Sequence, residues 1–223
     1  ARSLAGVALV WSRSTSNFCG WGGRGPGEAV EGLGGSHPHV AEFRGLYDAL
    51  MLSGVPFDVI GDANLNEADL ERYTTLVLPH VAAMSDEAVR SVRRFVQKAK
   101  GLIVTGETSF YGERGMARNC PGLADVLGIG EAEDALPPAV RDYMRVSRPH
   151  PVCAGVKPGD LVPRPALSRA VKPLESAHVL CRLLGDLPRR FAPWPPESPW
   201  PGILVNETQG RVVCFPGLIG AHY

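Results

Sequence analysis

No stretch of the 223-residue sequence comes near the roughly 20 consecutive apolar residues that a membrane-spanning helix requires. The start, Ala1-Arg2-Ser3-Leu4, has no charged segment leading into an apolar core, so it does not read as a targeting signal. Neither sign of charge is in excess: 23 Lys and Arg balance 23 Asp and Glu. Without a global positive field the chain has no electrostatic grip on a phosphate backbone or an anionic bilayer, and neither nucleic acid nor membrane is expected as a partner. The cysteines Cys19, Cys120, Cys153, Cys181 and Cys214 are odd in number, scattered, and contain no C-x-x-C pair. That pattern argues against a complete disulfide framework and against a zinc knuckle. Reduced thiols in a cytoplasmic setting are the expectation, with no metal and no cofactor.

What is present is a hydrophobic content of 44%, enough for one sizeable core, which excludes disordered and collagen-like classes. Gly and Pro, 26 and 20 residues, make up about a fifth of the chain where an eighth is usual. The excess must reside in loops. The chain begins without Met and ends at Ala221-His222-Tyr223, shortly after an expected strand. One domain over residues 1–223, cut from a longer polypeptide, is the reading of these ends.

Gly6-Val7-Ala8-Leu9-Val10-Trp11 is a near-continuous apolar run of strand length, as in a strand covered on both faces. A long Gly-rich stretch, Ser12 to His39, follows and is expected to be a functional or poorly ordered loop. Val40, Phe43, Leu46, Tyr47, Leu50 and Met51 then recur at helical spacing, closed by Gly54 ahead of Pro56. The strand Phe57-Asp58-Val59-Ile60, a short helix over Asn66 to Tyr73 and a strand over Thr74 to Pro79 come next. Ser85 is placed to cap a helix opening with Asp86-Glu87 and carrying Val89, Val92, Phe95 and Val96 as its core stripe. Gly101 ends it, and the strand Leu102-Ile103-Val104-Thr105 begins at once. This alternation predicts an α/β domain with a mainly parallel sheet, helices on both faces, and functional groups at the carboxyl ends of the strands. The second half is less regular, with turns at Pro137-Pro138, Pro149 and Pro151 and a proline-dense segment from Pro188 to Pro201. A strand over Ala177 to Leu183 precedes it. A C-terminal β-hairpin joins Ile203–Asn206 to Arg211–Phe215 through Glu207-Thr208-Gln209-Gly210.

Candidate chemistry is sparse. Gly20-Trp21-Gly22-Gly23-Arg24-Gly25 matches G-x-G-x-x-G by letter, but a dinucleotide fingerprint passes directly from strand to helix, and this one does not. His37-Pro38-His39 has no matching Cys or carboxylate pair for a metal. His80, just past a strand's carboxyl end, is either a pocket residue or a polar loop residue. Glu107, in Gly106-Glu107-Thr108-Ser109 after the next strand, stands where α/β domains mount reactive groups. It fits an acid, a base, a hydroxyl-binding group or a structural role, and it is not the carboxylate pair that glycosidases need. Asn206-Glu207-Thr208 is a glycosylation sequon, in a turn where Asn is common for backbone reasons.

Several segments taken together resemble a known family: Phe43-Arg44-Gly45-Leu46-Tyr47-Asp48-Ala49-Leu50, Val55-Pro56-Phe57-Asp58-Val59-Ile60, Leu76-Val77-Leu78-Pro79, Ser85-Asp86-Glu87, Arg94-Phe95-Val96, Gly101 to Ser109, and Gly210 to Pro216. In order and spacing they are similar to the β-galactosidase trimerisation domain, a flavodoxin-like, class I glutamine amidotransferase-like module that follows a TIM barrel in family 42 glycoside hydrolases. The departures from true amidotransferases are informative. Their reactive cysteine elbow is replaced here by Gly106-Glu107-Thr108, the late His-x-Glu by Phe215-Pro216-Gly217-Leu218, and the earlier Gly-Gly by His80-Val81. A thiolate, its base and its oxyanion donors must converge for acyl transfer, so no glutaminase activity is expected.

The resemblance implies a non-catalytic domain that supports a homo-oligomer, possibly a trimer, and shapes the carbohydrate site of an upstream TIM-barrel domain, whose carboxylates would do the hydrolysis. Arg13, Asn17, His80, Glu107 and Ser109 are the candidates for facing that site or a subunit partner. The alternative is a free-standing carbohydrate-binding protein or small-molecule hydrolase of the same fold using Glu107 and His80.

Overall fold

The structure, a computed structural model, describes residues 3–25, 27–28, 33, 35–136, 143–185 and 193–222. Among them the strands are β1 (Val7–Trp11), β2 (Phe57–Gly61), β3 (Thr75–Leu78), β4 (Ala83–Met84), β5 (Gly101–Thr105), β6 (Tyr111–Gly112), β7 (Ile129–Leu136), β8 (Tyr143–Val146), β9 (Leu161–Pro163), β10 (Ser168–Pro173), β11 (Ala177–Leu184), β12 (Glu197–Asn206) and β13 (Arg211–Phe215). The α-helices are α1 (Arg13–Phe18), α2 (Pro38–Leu52), α3 (Glu67–Leu70), α4 (Asp86–Gln97) and α5 (Ala124–Leu127). The main sheet runs β2-β1-β3-β5-β13-β12-β11-β8-β9. Its first five strands are mutually parallel and reproduce the flavodoxin-like order, in which the sheet reverses direction beside the first strand. The last four strands continue antiparallel from β13. The expected parallel sheet is therefore one half of a mixed sheet, and the expected hairpin of β12 and β13 is the joint between the halves.

Because side chains alternate across a strand, Ala8, Val10, Leu76, Leu78, Leu102 and Val104 share one core cluster with Val89, Val92, Phe95 and Val96 of α4. Ser85 caps α4 as its sequence predicts, accepting from the Ala88 N–H at 3.1 Å. On the opposite face Trp11 meets Phe43 of α2 edge-on, with centroids 5.0 Å apart, so helices cover both faces.

The stretch from Ser12 to His39 is not all loop. Residues 13–18 form α1, whose first N–H groups are satisfied by side chains: Thr15 N–H donates to Ser12 Oγ, and Arg13 and Ser14 N–H donate to the Asp62 carboxylate at 2.9 and 2.8 Å. The helix has no apolar stripe of its own and is held by a carboxylate from beyond β2. The proline-dense segment also differs from expectation. Pro199 and Pro201 lie inside β12, where β13 pairs only with Leu204 to Asn206, and that leaves the earlier residues without a neighbour on that edge to need their N–H groups. Pro137-Pro138 and the start of the dense segment at Pro188 lie outside the described residues. Asn206 of the sequon is buried, its amide donating to the carbonyls of Asp125 and Val126. Its role here is to tie the hairpin to α5.

In α2 the helix is where the spacing places it, but its most buried positions are Pro38, His39, Glu42 and Gly45. The apolar residues Val40, Tyr47 and Met51 are exposed. The reason is the C-terminal turn, residues 219–222. Glu42 accepts N–H groups from Ile219, Gly220 and Ala221 at 3.1, 2.8 and 3.0 Å, and Gly45 lets the turn approach so closely that a Cβ there would lie 1.8 Å from the Gly220 carbonyl oxygen. Burial pushes the Glu42 carboxyl up to about 7, against those hydrogen bonds. Gly45→Ala should therefore undock the turn, costing about 3 kcal/mol. Urea unfolding would show this as a lower midpoint, and limited proteolysis as earlier cleavage near the C-terminus.

Candidate functional site

In a flavodoxin-like sheet, ligands enter the crevice at the carboxyl ends of the strands, where the order reverses between β1 and β3. Three residues of this crevice hold left-handed backbone conformations: His80 at φ 47°, Gly106 at 61° and Ser109 at 67°. Gly106 has no alternative, since a Cβ there would lie 2.5 Å from His80 Nδ1. The tight turn after β5 sends Glu107 inward, with its backbone N–H donating to His80 Nδ1 at 3.1 Å.

The Glu107 carboxylate is fully buried and fully engaged. Gly22 N–H lies 3.1 Å from both of its oxygens, Arg169 Nη1 is 3.1 Å from Oε1, and the Tyr111 hydroxyl is 3.5 Å from Oε2. Burial pushes its pKa up to about 7, while Arg169, Gly22 and Tyr111 favour the charged form. Burial, and after it the same carboxylate, raises the Tyr111 phenol and the Cys19 thiol to about 12, so Cys19 is no nucleophile. Trp21 lies across His80 with centroids 5.3 Å apart. His80 is held neutral, its pKa lowered to about 3 by burial and then by His39 and His37, with the Gly20 carbonyl only partly opposing. Its Nε2 has no well-formed hydrogen bond.

Beside it, His39 accepts the Ser12 N–H on Nε2 at 2.9 Å and faces the Pro79 carbonyl with Nδ1 at 2.7 Å, which sets the tautomer with the proton on Nδ1. Burial lowers its pKa to about 4. His37 meets the Cys19 carbonyl through Nε2 at 2.7 Å. These bonds give the histidines structural work. Among the described residues no group of three or more His, Cys, Asp and Glu is disposed to hold a metal, and no helix is long and apolar enough to cross a membrane.

The five sequence candidates divide. Glu107, His80 and Ser109 are sealed at 0% exposure. Ser109 Oγ accepts the Leu123 N–H at 3.0 Å and fixes the loop before α5. Arg13 and Asn17 are exposed on α1. The structure thus joins Glu107 to His80 and leaves the α1 pair apart from them. Neither Glu107 nor His80 reaches solvent, so in this conformation they cannot act on a small molecule. The G-x-G-x-x-G segment does cradle an anion through Gly22, and that anion is the chain's own Glu107. Sequence reasoning missed Arg169, Trp21, Tyr111 and Gly22 as its partners. Arg169 is delivered by a short ladder in which its N–H donates to the Pro216 carbonyl at 2.7 Å, and Leu218 exchanges bonds with Ala166 and Leu167. The late segment that replaces the His-x-Glu pair therefore positions the arginine.

The fold and this closed crevice define an α/β domain with a mixed sheet whose parallel half has the flavodoxin-like strand order. The model of the β-galactosidase trimerisation domain family matches residues 5–148, and the chain belongs to that family. Among solved structures it is similar to the β-galactosidase from Bacillus circulans sp. alkalophilus at 20% identity and a TM-score of 0.70, covering 100% of this chain and 30% of that one. The β-galactosidase from Rahnella sp. R3 matches at 19% identity and a TM-score of 0.68, over 96% of this chain and 29% of its own. The α-L-fucosidase isoenzyme 2 from Paenibacillus thiaminolyticus matches at 18% identity and a TM-score of 0.63, over 99% and 30%. At these identities the likeness establishes the fold, and the chain spans less than a third of each enzyme's length. No curated protein sequence matches it.

Two outcomes test the site. Glu107→Gln leaves Arg169 without its counter-ion and should cost about 3 kcal/mol, with faster proteolysis in residues 19–25. A double-mutant cycle with Arg169→Gln should recover part of that loss. The second concerns pH. His80 and His39 have folded pKa values below 6.5, so their contribution is present above that pH and is lost as pH falls toward 4 and 3. Glu42 is raised from 4.5 to about 7, so its contribution is present below pH 4.5 and is lost as pH rises toward 7. Between pH 5 and 6.5 the two slopes oppose. His80→Asn removes one histidine and suits the left-handed backbone. Its stability should fall with rising pH, relative to wild type, by at most about 1.4 kcal/mol per pH unit. Urea midpoints at pH 5.0 and 6.5 measure this.

Proposed function

We propose that this domain is a non-catalytic part of a glycoside hydrolase, with two roles. It holds the polypeptide in a homo-oligomer, a trimer, and it walls the carbohydrate site of an adjoining TIM-barrel domain. The observation that carries the non-catalytic part is the closed crevice: the place where this fold takes its ligands is filled by Trp21, with Glu107 locked to Gly22 and Arg169. Membership of the trimerisation family supports the assembly part. The similar structures, β-galactosidases among them, support a carbohydrate-processing parent. The exposure of Arg13 and Asn17 on α1, just past the carboxyl end of β1, supports taking them as the candidates for facing a neighbouring site. The five free thiols fit a reducing, cytoplasmic compartment.

The test uses the full-length polypeptide. Light scattering should give three times the protomer mass. With a β-galactoside substrate, Arg13→Ala and Asn17→Ala should lower kcat/KM by about 3- to 10-fold, a loss of roughly 1 kcal/mol in transition-state stabilisation. An unchanged kcat/KM would remove the walling role, and a monomeric mass would remove the assembly role.

A further inference from the structure

The two large helices on opposite faces of the sheet present different surfaces to solvent. On α4 the outward positions are Glu87, Arg90, Arg94 and Gln97, the polar back of an amphipathic helix. On α2 the outward positions include Val40, Tyr47, Met51 and Leu52, at 38, 37, 57 and 77% exposure, with the exposed charges of Arg44 and Asp48 beside them. This apolar face continues onto the sheet. The Tyr47 ring packs edge-on against Phe57 of β2 at 5.2 Å, and Val59, two residues along and on the same face, is 50% exposed. β2 is also an edge strand, paired on one side by β1 and at the end of the strand order. An edge strand with exposed apolar side chains is a ready association surface.

We infer that the face formed by α2 and β2 is where a second copy of this chain packs in the oligomer. This rests on the assembly reading above and names its surface. The five residues, each between 37 and 77% exposed, supply the kind of apolar centre that one side of a standard interface of about 800 Å² is built around. The position of the face also fits. A ring of three copies requires a heterologous contact, in which each copy offers two different patches. The α2–β2 face, at one edge of the sheet, leaves the rest of the surface free to supply the second.

Met51→Lys/Leu52→Lys places cations in the last turn of α2, where the helix dipole accepts them, so the helix itself should persist. In the full-length polypeptide the double variant should raise the dissociation constant of the oligomer at least about tenfold, read by sedimentation or light scattering across a dilution series, with an unchanged circular dichroism spectrum. Val59→Lys should act in the same direction from the strand side. Leu174→Lys, a partly exposed leucine elsewhere, should leave the mass unchanged. If wild type is an oligomer and both α2–β2 variants keep its mass, the surface assignment is overturned while the assembly reading stands. A retained mass with a lowered melting temperature would assign the face to another part of the same polypeptide, which also overturns it. A monomeric wild type removes the assembly reading and this inference with it.

Discussion

A carboxylate taken out of water must be paired and hydrogen-bonded on nearly every side, or it reverts to the neutral acid at a cost of several kcal/mol. Glu107 imposes that requirement at the end of β5, and the surrounding chain is arranged to meet it. Its donors come from three separate places: Gly22 from the glycine-rich segment, Tyr111 from β6 and Arg169 from β10. Satisfying one charge therefore draws three segments over the strand ends. Closure of the crevice follows from this, with Trp21 carried onto His80 by the segment that brings Gly22. The antiparallel half of the molecule is tied in by the same demand, because Arg169 sits on the strand that the late segment at Pro216 to Leu218 holds in place.

Glu42 applies the same logic at a helix face. Three backbone N–H groups of the C-terminal turn converge on its carboxylate, and Gly45 provides the room for them. Glu42 is thereby turned inward while Arg44 and Asp48 stay exposed, and the apolar side chains are only partly spent on Trp11 and Phe57. A helix of ordinary amphipathic sequence thus ends with hydrophobic residues facing out. The exposed stripe is a consequence of how the terminus docks, which links a local capping arrangement to a surface available for assembly.

Some elements are declared by the local sequence and others depend on residues far away in the chain. β1, β2, β3, β5, α4 and the β12–β13 hairpin are each declared by neighbouring residues: apolar runs, the Ser85 cap, a polar turn. They account for the parallel half of the sheet. α1 was not legible, because its six residues carry no stripe and are capped by Asp62 from nearly fifty positions away. β12 was read only in part, since prolines mark loops unless an unpaired edge excuses them. In α2 the spacing located the helix and misplaced its inner face, because periodicity ranks residues by polarity and has no knowledge of a distant terminus that will satisfy a buried Glu. The site shows the same division. Glu107 and His80 were visible by position after strands, whereas Arg169, 62 residues away from Glu107 in sequence, belongs to a strand with nothing in its local pattern to announce a partner.

The left-handed turns at His80 and Gly106 are the clearest trace of the wider fold family. Strained conformations of this kind persist only where surrounding structure over-determines them, and in enzymes they commonly serve to present a reactive group. In this chain the group presented is a carboxylate with no open face, next to a histidine whose pKa is lowered to about 3 and which is therefore a poor base at neutral pH. The nearby thiol is raised to about 12 and stays protonated. These electrostatic adjustments run opposite to what acyl transfer needs: the base is weakened, the thiol is silenced, and Arg169 is spent on neutralising Glu107. The same backbone geometry that could display a nucleophile is used to anchor a plug, which makes the crevice part of the core.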